Sequence, residues 1–532
     1  MAPYLGLRGK PLGYFLSAIC TTCFLLFGFD QGVMSGLITA PEFNKTIPET
    51  DGDPTMQGLV TAIYEVGCLA GAVLVLFIGE KIGRRKSIMM GAFIMVFGVL
   101  IQVTTFLGHQ PLAQFIIGRV VMGVGNGMNT SSVPAYQAET AHSRHRGILI
   151  CIQGGSIAFG TLIAYWLNYG VSFTGTDMVW RFPISFQLIF AIIIVGGMAV
   201  LPESPRWLLA RDRDEEGTRV IAALFDEPEN SPAVQLEKRV IMDSMLAAGQ
   251  IGAKAKFSDL VTRGKTQHLR RVIIGSSSQI MQQIGGCNAI IYYFPILMER
   301  SLHQDRNMSL ILGGVNMIVY SIFATFSWFV IEKMGRRKLF FVGTIGQMIS
   351  MTITFACLIP GTASAAKGAA VGFFLYIATF GATWLPLPWL YPAEINPLRT
   401  RGQANAVSTV NNWLFNFLVV MVTPIMVDRI GWATYLVFAL INASFLPFIY
   451  FFFPETKNRS LEELDIVFAK GYVEGISYVR AAQELPLLTQ AQVEEHVARY
   501  GLTEEIGSAA EKGAVASSIE DARSKETETE TE

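Results

Sequence analysis

Glu80-Lys81-Ile82-Gly83-Arg84-Arg85-Lys86 recurs 252 residues later as Glu332-Lys333-Met334-Gly335-Arg336-Arg337-Lys338, and each copy closes one apolar run and opens another. Two further pairs keep nearly the same register. Glu139 with Arg146 is matched by Glu394 with Arg401 at an offset of 255, and Pro202-Glu203-Ser204 by Pro454-Glu455-Thr456 at 252. Three motifs at one spacing argue for a duplicated half. Duplicated membrane halves are how many secondary transporters build a site at the bilayer midplane, so the repeat predicts a solute carrier.

Only 16% of the 532 residues are charged, against roughly 25% in an average soluble chain. The apolar residues gather in runs of about 20 or more, long enough to cross ~30 Å of hydrocarbon as helices. Twelve such runs fall at 12–38, 57–78, 87–108, 112–138, 147–170, 182–201, 271–298, 309–331, 339–359, 367–390, 404–427 and 431–453. The expected fold class is therefore an all-α membrane protein of twelve transmembrane helices in two six-helix, pseudo-symmetric halves, 12–201 and 271–453. A cytosolic N-terminus (1–11), a charged central loop with short helices (202–270) and a cytosolic tail (454–532) complete the domain plan. The acidic, Ser/Thr-rich end, from about residue 501, reads as disordered.

Local charge sets the topology. Basic residues cluster at Arg84–Lys86, at Arg144 and Arg146, in the central loop, at Arg336–Lys338, and at Arg399 and Arg401, while alternate loops such as 39–56 and 172–180 carry almost none. The positive-inside rule puts both termini and the central loop in the cytosol of a multi-pass protein of the cell membrane. Asn44-Lys45-Thr46 and Asn307-Met308-Ser309 are then glycosylation acceptors on the outer side, and Asn458-Arg459-Ser460 is a cytosolic, unused match. The first run is too long for a cleaved signal's apolar segment and reads as a signal anchor. A net charge of −1 carries no nucleic-acid-like basic field. Six cysteines all fall inside apolar runs, so Cys20 and Cys23 read as buried hydrophobes rather than metal ligands. Gly123, Gly125 and Gly127 follow no strand and read as a close helix contact, not a phosphate loop. No nucleophile–base set, metal or cofactor site is expected, and the chain does not read as an enzyme.

Chemistry is expected where polarity intrudes on the apolar runs. Asp30 is the only acid between Pro11 and Pro41, and Arg119 is the one base within the fourth run. A charge near the bilayer centre costs about 2.5–3.5 kcal/mol on insertion scales, so it needs a partner or a role. An Asp30–Arg119 pair that opens when the carboxylate takes a proton is a coupling device; a permanent helix-holding ion pair is the alternative. Glu65 is a second intramembrane acid with no evident partner. In the seventh run, Gln279, Gln282 and Gln283 share a helical face, and Gly285-Gly286 can break the helix and swing Asn288 toward it. Gln153, Asn316 and Asn412 are further amides within runs. Amides donate and accept at once, which suits a neutral polyhydroxylated solute. The tenth run, Trp384-Leu385-Pro386-Leu387-Pro388-Trp389-Leu390-Tyr391-Pro392, must bend, and an indole such as Trp389 can stack on a sugar ring.

These residues resemble the sugar porter family of the major facilitator superfamily over about residues 12–470. The specific pieces are Pro202-Glu203-Ser204-Pro205-Arg206-Trp207, Gln282-Gln283-Ile284-Gly285-Gly286-Cys287-Asn288, both Gly-Arg-Arg loops, and Pro454-Glu455-Thr456-Lys457 with Leu461-Glu462-Glu463. Phe27–Gly32, Tyr64–Cys68, Ile157–Thr161 and Pro388–Glu394 are similar to the fungal branch containing the yeast glycerol/proton symporter and hexose carriers. The resemblance implies solute contacts at Gln153, Gln282, Gln283, Asn288, Asn316, Trp389 and Asn412, with Gln153 one residue nearer Arg146 than the family spacing. It implies proton coupling at Asp30 and Arg119, an acid–arginine pair in proton-linked bacterial members that some yeast facilitators also keep at the acid. It further implies an inner gate of Arg84, Arg85, Arg336 and Arg337 with Glu139, Glu203, Glu394 and Glu455, and Arg146, Arg206 and Arg401 nearby. Glu80 and Glu332 depart from the residue usual in that loop. The expected function is uptake of a monosaccharide or polyol with a proton, by alternating access in a monomer within the lipid bilayer. A dedicated glycerol symporter, a passive sugar facilitator, a non-transporting sensor and a drug exporter on the same fold are the alternatives.

Overall fold

The computed structural model describes residues 3–106, 108–141, 146–247, 257–397 and 399–502. Six long helices make the first half: α1 (Gly9–Leu37), α2 (Pro54–Ile82), α3 (Arg84–Val103), α4 (Pro111–Thr140), α5 (Arg146–Val171) and α6 (Met178–Val200). Two amphipathic helices, α7 (Asp214–Phe225) and α8 (Pro232–Ala247), follow in the central loop. The second half comprises α9 (His268–Ile284), α10 (Cys287–Leu302), α11 (Arg306–Met334), α12 (Arg336–Leu358), α13 (Ala363–Ala382), α14 (Leu387–Ile395), α15 (Arg401–Ile430) and α16 (Ala433–Phe452). Here α9 with α10, and α13 with α14, are broken halves of single spans, which gives twelve spans in all. Among the described residues, nine helical segments are long and apolar enough to cross a membrane by length and composition. Several helices run a turn beyond their apolar stretch, α2 and α11 among them, because a polar sequence continues a helix once it leaves hydrocarbon.

The repeat is visible in the backbone. Gly83 and Gly335 sit between consecutive helices at φ 92° and 88°, in a region that favours glycine, and neither offers a side chain to cap the helix that follows. A carboxylate from the far end of the same half fills that place. Glu203 accepts from the backbone N–H of Arg84 and of Arg85, both at 3.0 Å, and Glu455 accepts from those of Arg336 and Arg337 at 2.8 and 3.1 Å. An anion at a helix N-terminus is favoured by the exposed N–H groups and the helix dipole. A tyrosine ties each corner: Tyr136 donates to Pro202 O at 2.6 Å and Tyr391 to Pro454 O at 2.9 Å.

Small residues set the packing within the first half. A Cβ at Gly123 or Gly127 of α4 would collide with the carbonyls of Tyr64 and Cys68 on α2, and one at Gly125 with that of Gly91 on α3. The two halves meet along α2 with α15 and α5 with α11. Phe77, Phe97, Ile192, Phe326 and Phe329 are exposed on the outside of this helical body, an apolar surface suited to lipid. Beyond Phe453, α17 (Leu461–Glu474), α18 (Tyr478–Glu484) and α19 (Gln490–Arg499) pack on their own core around Ile466, Ala481, Leu485 and Val493. Arg271 of α9 anchors this bundle, pairing with Asp465 at 2.5 Å and lying over the Phe468 ring at 4.7 Å. The acidic end from residue 503, expected to be disordered, lies outside the described residues.

Candidate functional site

Both broken spans meet at one cavity. α9 stops at Ile284, Gly286 takes φ 98°, and α10 restarts at Cys287, while the carbonyl freed at Gly285 accepts from Tyr376 at 2.8 Å and Asn442 at 2.9 Å. The second break follows from proline chemistry. Pro388 and Pro392 have no N–H to give the carbonyls four residues earlier, Trp384 O and Pro388 O. Gln282 donates to Trp384 O at 2.8 Å, and Gln279 donates to Pro388 O at 2.6 Å. The α9 glutamines thus replace backbone bonds that the α13–α14 prolines remove. Asn412 of α15 donates to the oxygens of Gln279 and Gln282, and Asn288 donates at 2.5 Å to both Gln283 and Asn416.

The space between these breaks is about 330 Å³ counting its open mouth, but only about 20 Å³ of it is wide enough for the centre of a water molecule, so the cavity is nearly closed around its lining. Its second-half wall carries Gln282, Gln283, Asn288, Asn412 and Asn416, with Tyr320, Phe380 and the half-buried Trp389 beside them. Its first-half wall is Phe27, Gln31 and Ile157. Five of the seven expected solute contacts are therefore brought together. Gln153 and Asn316 are not among the lining residues. Gln153 is turned within its own half toward Gln137, at 3.5 Å, whose amide in turn holds Ser17 of α1. Asn316 is fully buried on α11, with neither amide atom bonded to any other described residue. Trp384 is also buried away from the cavity, its indole on Thr344 and its ring 4.8 Å from that of Phe340.

Asp30 and Arg119 form the expected pair. Arg119 Nη1 donates to Asp30 Oδ1 at 2.8 Å, both side chains being fully buried. The same guanidinium donates to Thr61 O at 3.1 Å and lies over the Tyr64 ring at 4.6 Å, so two of its contacts belong to α2. Glu65 has the partner its sequence context did not reveal. Tyr292 of α10 donates to Glu65 Oε1 at 2.6 Å, joining the two halves between fully buried groups. Arg300 on Gln57 at 2.9 Å and Arg306 on Thr39 at 2.7 Å join the halves at the same end of the bundle.

At the opposite end, the charged motifs assemble twice. Arg84 pairs with Glu139 at 3.2 Å and Arg336 with Glu394 at 2.6 Å, each pair internal to one half. Ser204 and Thr456 donate to the same two carboxylates. The Arg85 guanidinium reaches Met198 O and Ala199 O, and that of Arg337 reaches Tyr450 O, so these arginines bind carbonyl ends of helices rather than acids. Glu203 and Glu455 serve the Gly-Arg-Arg backbone; burial pushes the Glu203 carboxyl up, against the pull of the N–H groups it accepts from. Arg401 donates to Asn396 O, and Arg206 stands half-buried at the start of the short helix Pro205–Leu209. The Arg146 side chain lies outside the described residues. Asn307 is exposed at the start of α11, whereas Asn44 is engaged by Thr50 and Asp51.

Asn416 and Gln31 are cavity residues that the sequence reading passed over. Asn416 follows Asn412 by four residues, a helical repeat that would have found it. Gln31 was overshadowed by the acid beside it.

Comparison with known proteins gives a concordant result. Residues 16–468 match the family model described as "Sugar (and other) transporter". Sugar transporter STL1 of Saccharomyces cerevisiae is 46% identical over 503 residues, covering 93% of this chain and 88% of that protein. The major facilitator superfamily transporter mfsA of Aspergillus fumigatus is 42% identical, covering 93% of each. Hexose transporter 2 of Kluyveromyces lactis is 30% identical over 84% of this chain and 81% of its own length. Among solved structures, the inward-open xylose transporter XylE from E. coli superposes with a TM-score of 0.69 at 24% identity, covering 85% of this chain and 99% of that one. That likeness extends to the fold.

Proposed function

The chain belongs to the sugar (and other) transporter family, in a fungal branch of the major facilitator sugar porters, and on that premise we propose that this multi-pass membrane carrier, which is not an enzyme, takes up a small neutral sugar or polyol together with a proton. The observation that carries the reading is the amide-walled cavity at the seam of two halves, with a buried acid–arginine pair behind its first-half wall. Taken together the amides offer both donors and acceptors to hydroxyls, and Trp389 offers an apolar face to a ring. The relatives named for sugars and hexoses support the class of solute.

The proton enters through Asp30. While Asp30 is ionised, the Arg119 bond ties α1 to α4. Protonation removes that charge-assisted bond, and the guanidinium keeps its hold on Thr61 O and the Tyr64 ring of α2. The helix α1, which carries Phe27 and Gln31 into the cavity, is then free to shift. Inward movement of one charge through 100 mV gains about 2.3 kcal/mol, enough for roughly 50-fold accumulation. In this reading both termini are cytosolic in the cell membrane, the carrier works as a monomer, and the charged pairs at Arg84 and Arg336 form the inner gate. Asn307, the exposed acceptor of the two, carries a glycan.

Yeast lacking hexose carriers, expressing this chain and supplied with labelled glucose, xylose or glycerol, tests the proposal. Concentrative uptake of one of these solutes that collapses on adding a protonophore is expected. Uptake that only equilibrates identifies a passive facilitator, and uptake of none of them overturns the proposed solute class.

A further inference from the structure

The cavity is chemically lopsided. The second half supplies five amides, but many of their hydrogens are already committed. Gln279 and Gln282 donate to the carbonyls freed by proline, Asn412 donates to those two glutamines, and Asn288 donates to Gln283 and Asn416. The oxygens of Gln282, Gln283 and Asn416 accept within the same network, so this wall is a pre-ordered amide lattice held in place by its own hydrogen bonds. The first half answers with two apolar side chains and one amide, Gln31.

Gln31 differs from every other amide named here that lines the cavity. It is 6% exposed, and its amide makes no hydrogen bond to any other described residue. It stands one helical turn beyond Phe27, which also lines the cavity and packs edge-on against Trp413 of α15 at 5.3 Å. The face of α1 bearing residues 27 and 31 therefore looks across the seam at the second half. The neighbouring residue, Asp30, turns away by about 100° of helix and meets Arg119 inside the first half. The Gln31 amide is therefore neither bonded to a described residue nor sealed from the cavity, and it stands open to a ligand there.

We infer that Gln31 is the first half's hydrogen-bonding contact to the solute and a determinant of its specificity: a solute held by the amide wall of α9, α10 and α15 completes its hydroxyl bonding on Gln31 and so bridges the two halves. The inference rests on the sugar-or-polyol reading of the same cavity. It also gives the coupling a physical route, because the residue that grips the solute is joined by one peptide bond to the residue that takes the proton. Solute binding and proton binding then bias the same helix.

The test is solute competition in proteoliposomes containing the full chain, native or carrying Gln31→Met or Gln31→Leu, two apolar replacements that differ in shape. Exchange of labelled D-glucose is competed with 1-, 2-, 3-, 4- and 6-deoxy-D-glucose, that of labelled D-xylose with its 1-, 2-, 3- and 4-deoxy analogues, and that of labelled glycerol with 1,2- and 1,3-propanediol. For the solute carried, both variants are expected to weaken its affinity about 2- to 10-fold, the loss of one hydrogen bond. For the one analogue that lacks the hydroxyl Gln31 contacts, native and variant affinities converge. Equal weakening for the parent and every analogue assigns Gln31 to packing and overturns the inference, as does unchanged affinity in both variants. A native protein that exchanges none of labelled D-glucose, D-xylose and glycerol overturns the reading of the cavity itself, a result visible before any variant is compared.

Discussion

Asp30 is held to Arg119 by a 2.8 Å hydrogen bond between fully buried side chains. Asp30→Asn keeps the shape of the protonated acid and cannot release a proton, so it fixes α1 in the state that Arg119 no longer holds. Downhill exchange is expected to survive in this variant, while pH-stimulated, protonophore-sensitive accumulation is lost; the measurement is labelled-solute uptake with and without an imposed proton gradient. Continued accumulation by the variant would move the coupling proton to another group, with Glu65 the first to test. Asp30 and Arg119 were legible as a pair because each is the lone charge in an apolar run, and hydrocarbon leaves such charges few partners. Gln31 was not legible in the same way. A glutamine beside an acid carries no signal until the helix is wound and its direction is known.

At the scale of the helix, the breaks explain why the glutamines stand where they do. The sequence shows Gly285-Gly286 and three prolines plainly enough to predict two interrupted spans. It does not show that the amides of one span satisfy the carbonyls bared in the other, since 109 residues separate Gln279 from Pro388. Gln279, which shares a helical face with Gln282 and Gln283 but is not among the expected solute contacts, bonds the backbone of α14 and is absent from the cavity lining. Gln279→Leu leaves Pro388 O buried without its donor, a loss of about 1–3 kcal/mol. Thermal unfolding of the purified protein should therefore show a lowered midpoint, while solute affinity changes less than in Gln283→Ala, which cuts into the cavity wall. An unchanged midpoint would mean that Pro388 O finds another donor and that the capture is incidental.

For the whole molecule, the 252-residue register was enough to predict two halves, and the paired corners at Gly83 and Gly335 carry that repeat into three dimensions. The seam between the halves was illegible, because a contact such as Tyr292 to Glu65 breaks the repeat rather than following it. That contact bears on alternating access. It joins α2 of one half to α10 of the other, and the bonds of Arg300 and Arg306 join the halves at the same end. Its loss should favour the state in which this end is open, by a factor of about 2 to 10 for one hydrogen bond. The cavity contains its own reporter, the thiol of Cys287, which is 2% exposed in the closed arrangement. In a variant whose sole cysteine is Cys287, adding Tyr292→Phe is expected to speed labelling by a membrane-impermeant thiol reagent applied from outside. The control is Tyr376→Phe, the same chemical change beside α10, whose hydroxyl bonds Gly285 O within its own half at 2.8 Å. It should leave the labelling rate unchanged. Equal acceleration by both substitutions would show that α10 has merely loosened, and no acceleration by either would remove Glu65 and Tyr292 from the outer closure.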